Sequence, residues 1–335
     1  MNKNIPVNPT YHEVINDSVR EWEKNKGAKY KEYRKKWSEN PKSFLLEDAP
    51  LHLDIEPTNA CNLKCPMCPR TILVNDDEKK GNFKVGMMSM DTFKKIIDEA
   101  VAIGVYSIKL NWLGEPLVHP QIVEMVRYAK EQGIVDVMFN TNAVTLTEDL
   151  SRDLIEAGLD KIFFSFDSPY KEKYEEIRVG ASYEESLNNI KRIVKLRNEL
   201  GKTSPITRIS MVLMEDNKDE YEAFVHLFKD SVDAVSYVEY RTPIGEEKEI
   251  DTSIDFACSQ LWQRMFISWD GDVIVCCVDS ERGYVPGNIH KDSIQNIWKN
   301  EKYMNIRNKH QNGEWYKINI CKKCDLPYKK KDGTV

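Results

Sequence analysis

Residues 56–70 read EPTNACNLKCPMCPR and place Cys61, Cys65 and Cys68 at C-x3-C-x2-C spacing. Three thiols are too few for a closed tetrahedral zinc site, and an odd number does not suit a disulfide framework. Three thiolates can instead hold a four-iron, four-sulfur cube by three of its irons, leaving the fourth open to an outside ligand. HLDIE (52–56), directly before, reads as a short strand, so the cysteines lie in the loop at its carboxyl end.

The 335 residues leave room for one large core or for a medium and a small one. Net charge is -6 with bases scattered among acids, which argues against a nucleic-acid partner. No apolar run reaches the ~20 residues of a membrane helix, and MNKNIPVNPTYHEV (1–14) lacks a signal-peptide core. A cytoplasmic protein with no membrane partner is expected. Thiols stay reduced there, so the eight cysteines are not read as disulfides. They fall into two groups, Cys61, Cys65 and Cys68, then Cys258, Cys276, Cys277, Cys321 and Cys324, which suggests two soft-metal sites.

Five more strand-like runs follow: YSIKLNW (106–112), VDVMFN (135–140), KIFFSF (161–166), TRISMVLM (207–214) and AVSYVEY (234–240). Segments of helical period separate them. In MDTFKKIIDEAV (90–101), Phe93, Ile96, Ile97 and Ala100 share one face. SYEESLNNIKRIVKLRNEL (182–200) opens with Ser182 and Glu185 as a capping box. Six alternations predict an α/β fold, a parallel sheet curled by right-handed crossovers into a partial (βα)6 barrel. Ligand sites of such sheets lie at the carboxyl ends of the strands, where the three cysteines are.

Residues 1–50 are highly charged and read as a helical extension, docked by Tyr30, Tyr33 and Trp37. After residue 243 the alternation stops. FISWDGDVIVCC (266–277) then carries a hairpin signal at Asp270-Gly271, and SIQNIWKNEKYMNIRNK (293–309) reads as a helix. The expected division is 1–50, 51–243 and 244–335. The polar loop after Arg70 is read as a lid over the strand ends or as an inert surface loop.

A C-x3-C-x2-C loop after the first strand of a six-fold βα repeat resembles the radical S-adenosylmethionine superfamily. The resemblance implies a TIM-like partial barrel whose [4Fe-4S] cluster binds S-adenosylmethionine at its open iron. A flavodoxin- or ferredoxin-type donor then reduces the cluster, and a 5′-deoxyadenosyl radical abstracts hydrogen from a small-molecule substrate. NWLGEP (111–116) resembles the family's Gly-Gly-Glu motif with Leu113 in the first glycine's place. Gly114 and Glu115 are then cofactor-binding, with Glu115 accepting from the methionine amino group. FNTNAV (139–144) resembles a T-N-G turn in which Asn142 shapes the site and Ala143 replaces glycine. FSFDSP (164–169) resembles an S-x-D motif. Ser165 is then a cofactor contact, and Asp167 a wall of the site or the cap of the next helix. Arg178 matches an arginine that pairs with the methionine carboxylate. Met67 stands where many members have an aromatic residue whose backbone meets the adenine.

Cys258, Cys276, Cys321 and Cys324, with Gly271-x4-Cys276 and Cys321-x2-Cys324, resemble the SPASM/Twitch domains of that superfamily. The tail after Cys324 has no further cysteine, which suggests the Twitch form with one auxiliary [4Fe-4S] cluster; structural zinc is the rival. Adjacent strand residues face opposite ways, and the glycine spacing selects Cys276 as ligand. Cys277 is then a buried filler or a thiol near the substrate. Intervals of 17, 44 and 2 residues between the four cysteines match those of single-cluster dehydrogenases that oxidise a cyclitol alcohol. Those enzymes have an active-site arginine seventeen positions before the first auxiliary cysteine, as Arg241 stands before Cys258. The expected activity is oxidation of a secondary alcohol in a cyclitol, amino sugar or nucleotide sugar, with the auxiliary cluster as electron acceptor. Arg241 orients the hydroxyl, or else forms a salt bridge to Glu239 or Asp279. Peptide modification, and redox-neutral epimerisation with Cys277 as hydrogen donor, are the alternatives.

Overall fold

Short apolar strands can bury one face under helices while their alternate residues turn into a shared lumen. The computed structural model, which describes residues 11–77, 83–241 and 249–328, joins such strands into one ten-stranded sheet. The first elements among the described residues are β1 (Tyr11–Ile15), α1 (Asp17–Asn25) and α2 (Ala28–Ser43). The repeat begins with β2 (His52–Ile55), α3 (Pro69–Asn75), α4 (Met90–Ala102), β3 (Ser107–Lys109), α5 (Ile122–Glu131) and β4 (Asp136–Thr141). It continues with α6 (Glu148–Glu156), β5 (Lys161–Ser165), α7 (Lys171–Ile177), α8 (Tyr183–Glu199), β6 (Ile206–Leu213), α9 (Tyr221–Phe228) and β7 (Ala234–Glu239). Strands β2 to β7 are parallel and neighbour one another in chain order, as the alternation predicts.

Local chemistry accounts for these elements. Helix α4 buries Phe93, Ile96, Ile97 and Ala100, and Ser182 caps α8 by accepting from the Glu185 amide. Leu53, Ile55, Ile108, Val137, Phe139, Ile162 and Phe164 are fully buried in the main core. Trp22, Tyr30 and Tyr33 of α1 and α2 pack on Leu51, Tyr106 and Ile206, at the amino ends of β2, β3 and β6. The helices therefore close the amino end of the barrel, and the carboxyl ends remain open for a site. Among the described residues no helix is long and apolar enough to cross a membrane.

Three features differ from the sequence expectation. The extension read as helical includes a strand: β1 runs antiparallel to β7, and Tyr11 accepts a hydrogen bond from Arg208 of β6 (2.6 Å). Five residues of weak alternation were too short a signal. Second, β8 (Arg264–Ile267) pairs parallel with β2, so the carboxy-terminal part extends the barrel sheet. The 243/244 boundary itself lies outside the described residues. β9 (Asp272–Ile274) and β10 (Gly287–Asn288) continue antiparallel. The expected Asp270-Gly271 hairpin is present, with Gly271 at φ +85°, a conformation that costs an L-residue about 1–2 kcal/mol. Third, the helix expected over 293–309 breaks into α10 (Ile294–Lys299) and α11 (Glu301–Gln311). Asn300 is extended between them, and its side chain accepts from the Tyr303 amide as the cap of α11. α12 (Asn319–Lys322) follows and carries Cys321.

Two buried carboxylates hold these layers together. Asp233, just before β7, accepts from Arg197 of α8, from the amide and hydroxyl of Thr207, and from Ser18. Asp233→Ala leaves the Arg197 guanidinium buried without its carboxylate, and urea unfolding is expected to show a loss of about 3–5 kcal/mol.

Glu56, at the end of β2, is fully buried and accepts from the amides of Leu113 (3.1 Å) and Trp269 (3.3 Å). Burial pushes its pKa up to about 7, against the effect of those two bonds. A carboxyl raised in the folded state favours folding when protonated. Its contribution is full below the ordinary value of 4.5 and is lost as pH rises through about 7. Glu56→Gln is expected to flatten the stability profile across that window by of order 3 kcal/mol, as measured by urea unfolding.

Candidate active site

The loop after β2 is clamped on both flanks. On one, Thr58 bridges to Met87, and its hydroxyl donates to the Gly86 carbonyl (2.7 Å). Asn59 donates to the Lys84 carbonyl (2.8 Å) and accepts from the Gly86 amide (2.9 Å). The polar segment after Arg70 thus packs on the cysteine loop through residues 84–87, while 78–82 of the expected lid lie outside the described residues. On the other flank a Cβ added to Gly114 would stand 2.1 Å from the Thr58 carbonyl and 2.6 Å from that of Ala60. Only glycine allows this approach. The Glu115 amide then reaches the Ala60 carbonyl at 2.9 Å.

Cys61, Cys65 and Cys68 open onto a cavity of about 360 Å³ at the carboxyl ends of the strands. Met67, Gly114, Glu115, Asn142, Ser165 and Arg178 share its walls. Asp167 does not, and this corrects the expectation of a wall residue or helix cap. It is fully buried behind Arg178, accepts from the Val212 amide (2.7 Å) and pairs with Arg178 Nε (2.5 Å). Its carboxylate could not stay buried unpaired, so it holds the arginine, whose Nη1 lies 3.9 Å from Cys65 Sγ. Helix α7 is preceded instead by Tyr170 at the cap position.

Glu115 is buried and accepts from the Thr141 hydroxyl (2.7 Å) and the amides of Leu117 (3.1 Å) and Asn142 (2.8 Å). Burial raises its pKa against those bonds. A carboxylate has about four acceptor positions, so roughly one remains for a ligand. Asn142 Nδ2 donates to Asn62 Oδ1 (2.8 Å), which ties the cysteine loop to the end of β4. Ala143, in the glycine's place, holds φ +62° with its methyl fully buried.

Cys258, Cys276, Cys321 and Cys324 line a second, smaller cavity with Phe256 and His310. Cys277 is not among the residues lining it but stands beside them: its thiol contacts that of Cys276, its carbonyl accepts from Trp112 Nε1 (2.8 Å), and its Sγ lies 3.9 Å from Arg241 Nη1. Burial pushes the Cys61 and Cys258 thiols up to about 11, so a cationic centre is needed to ionise them near neutral pH. Three thiols around the first hollow and four around the second are donor sets that suit iron–sulfur clusters.

Arg241 is the one described residue that lines both cavities. Its Nε pairs with Asp325 (3.1 Å), and its Nη2 lies 3.2 Å from Cys324 Sγ. The partner is thus Asp325, where Glu239 or Asp279 was expected. Asp279 is occupied by the amides of Gly283 and Tyr284, which close its own loop.

Sequence reasoning missed Arg70, Asn111, Trp112 and Asn140, all in the first cavity wall, and His310 in the second. The two asparagines and Trp112 sit inside or beside the quoted strand-end motifs, so position alone could have flagged them. His310 lies on a polar helix with no motif to mark it.

The Radical SAM superfamily model matches residues 55–228, and a SPASM iron-sulfur cluster-binding domain matches residues 258–325. A tungsten-containing aldehyde ferredoxin oxidoreductase cofactor-modifying protein of Pyrococcus furiosus is 28% identical, covering 75% of this chain and 82% of that protein. A GTP 3′,8-cyclase of Lactiplantibacillus plantarum is 29% identical over 71% of this chain and 66% of its own. BtrN in complex with AdoMet and 2-DOIA shares the fold at a TM-score of 0.55 and 20% identity, covering 84% of this chain and 94% of BtrN. Streptococcus suis SuiB bound to precursor peptide SuiA does so at 0.61 and 17%, covering 83% and 71%. The radical SAM domain brings S-adenosylmethionine and a [4Fe-4S] cluster, and the SPASM domain brings auxiliary iron–sulfur binding. With more than half its length matched, this chain belongs to the radical S-adenosylmethionine superfamily and is an enzyme of its SPASM type.

Proposed function

We propose that the protein oxidises a secondary alcohol of a cyclitol, amino sugar or nucleotide sugar, using its auxiliary cluster as electron acceptor. The observation that carries this reading is Arg241, the residue common to both cavities. Cys61, Cys65 and Cys68 hold the first [4Fe-4S] cluster, and Cys258, Cys276, Cys321 and Cys324 hold a single auxiliary one. With the first cluster reduced by a flavodoxin- or ferredoxin-type donor, bound S-adenosylmethionine would supply a 5′-deoxyadenosyl radical, while the auxiliary cluster, in its oxidised state, would serve as the one-electron acceptor. The remaining lone pair of Glu115 takes the methionine amino group, and Arg178, aimed by Asp167, takes the carboxylate. Gly114, Asn142 and the Met67 backbone shape the adenosine side, and Ser165 offers a hydroxyl there. Arg241 orients the substrate hydroxyl and stabilises its oxygen as the proton leaves. The alcohol gives up a hydrogen atom from carbon, a proton from oxygen and one electron, and becomes a ketone. Cysteine intervals of 17, 44 and 2 residues, those of the 2-deoxy-scyllo-inosamine dehydrogenase of butirosin biosynthesis, support the reading.

A second reading is epimerisation, favoured by Cys277 Sγ lying beside Arg241 outside the auxiliary cavity. Cys277 would return a hydrogen atom to the substrate carbon, and its sulfur would then need one electron and one proton. Incubation with polyols deuterated at the carbinol carbon separates the two. Oxidation gives ketone and deuterated 5′-deoxyadenosine together, whereas epimerisation gives an isomer carrying solvent hydrogen and no ketone.

Anaerobically reconstituted protein is expected to hold about eight irons and eight sulfides per chain, and a Cys61→Ala, Cys65→Ala, Cys68→Ala triple variant about four. Zinc in that variant would remove the auxiliary-cluster assignment. Arg241→Lys keeps the charge and loses the planar fork, so ketone formation should fall on the order of a hundredfold with S-adenosylmethionine binding intact. Wild-type turnover in Arg241→Ala would sink the role given to this residue.

A further inference from the structure

Two N–H donors converge on the sulfurs of the second cavity from different elements. His310, on α11, is 1% exposed. Its Nδ1 accepts the backbone amide of Cys258 at 3.2 Å. A ring nitrogen that accepts carries no proton, so the imidazole proton is on Nε2. That nitrogen lies 3.3 Å from Cys321 Sγ, and the contact is therefore N–H···S with sulfur accepting. Phe256 packs edge-on to the ring at 6.0 Å and limits its rotation. The second donor comes from beyond β7: Arg241 Nη2 reaches Cys324 Sγ at 3.2 Å while Asp325 anchors its Nε. Both sulfurs of Cys321-x2-Cys324 thus have a donor, and the amide of a third cysteine of the set fixes the tautomer of one of them.

We propose that His310 and Arg241 are positioning residues that poise the second site to accept an electron, by donating hydrogen bonds to the sulfurs of Cys321 and Cys324. The inference rests on the reading that these thiols hold an iron–sulfur cluster. Reduction adds one negative charge that delocalises onto the ligand sulfurs. A donor already pointed at a sulfur stabilises the reduced form more than the oxidised one, which raises the reduction potential. The Arg241 cation adds to this in a cavity of low dielectric. His310 carries the more specific claim, because the role proposed for Arg241 toward substrate does not extend to it.

EPR-monitored redox titration of the full-length reconstituted protein tests the proposal, with the triple cysteine variant identifying the second cluster's signal. His310→Phe and Arg241→Met are each expected to move that cluster's midpoint to more negative potential at unchanged iron content, leaving the first cluster's midpoint in place. His310→Gln, which retains an N–H, should recover part of the shift. Unchanged midpoints in both variants at full iron content overturn the proposal. If His310→Phe does not retain the cluster, wild-type protein with 15N-labelled histidine side chains decides, since the backbone amides of Gln260 and Leu326 also reach cysteines of the set and would give exchangeable couplings of their own. A histidine 15N coupling to the second cluster in ENDOR spectra supports the His310 donor, and its absence overturns it. Wild-type protein that takes up only about four irons overturns the cluster assignment itself.

Discussion

Parallel pairing of β8 on β2 runs from His52↔Arg264 to Ile55↔Ile267, and the Glu56 amide extends it to the Ile267 carbonyl at 2.8 Å. Both strands end at one level. The first leads into Cys61, Cys65 and Cys68, and the second into the hairpin that carries Cys276 and Cys277. This register sets the two cysteine groups side by side, and the buried Glu56 carboxylate then fastens the hairpin turn through Trp269. Curling of the sheet brings the far strand, β7, round to the same mouth, where Arg241 touches Cys277 and Cys324. A one-residue slip of β8 would turn its inward residues to the helices and separate the sites.

The open end of the barrel gathers charge that burial makes costly. Three ion pairs answer part of that cost: Asp167 with Arg178, Asp325 with Arg241, and Asp54 with Arg264 at 3.4 Å. Arg208 leans on Phe163 at 3.7 Å and faces Glu13. Lys109 lies near Asp54 and Arg264, and burial lowers its pKa to about 8. Such pairs contribute little net stability, since desolvation offsets most of their attraction. Their effect is to hold planar guanidinium groups in fixed orientation around two thiol-lined hollows.

A radical SAM barrel with a SPASM domain is shared by enzymes that act on unlike molecules, and the fold does not choose among them. What bears on that choice in this chain lies in a few side chains that line the cavities. Arg241 lines both spaces, and His310 lines the second from α11.

How much of this was legible in one dimension follows from the range of each interaction. Six strands, the helices between them and the Asp270-Gly271 turn depend on neighbours a few residues away, so period and turn chemistry revealed them. The Gly-Glu of NWLGEP, Asn142 and Arg178 were marked in the sequence by their resemblance to motifs of the radical S-adenosylmethionine superfamily. The antiparallel β1, the β2–β8 pairing, the withdrawal of Asp167 behind Arg178, the choice of Asp325 by Arg241 and the aim of His310 were not. Each depends on which distant segment packs alongside, and no local spacing encodes that. Spacing along the chain determined that two sets of thiols exist and what chemistry they suit; only packing decided that they face each other across Arg241, because contacts between residues some two hundred positions apart are set by the burial of whole layers.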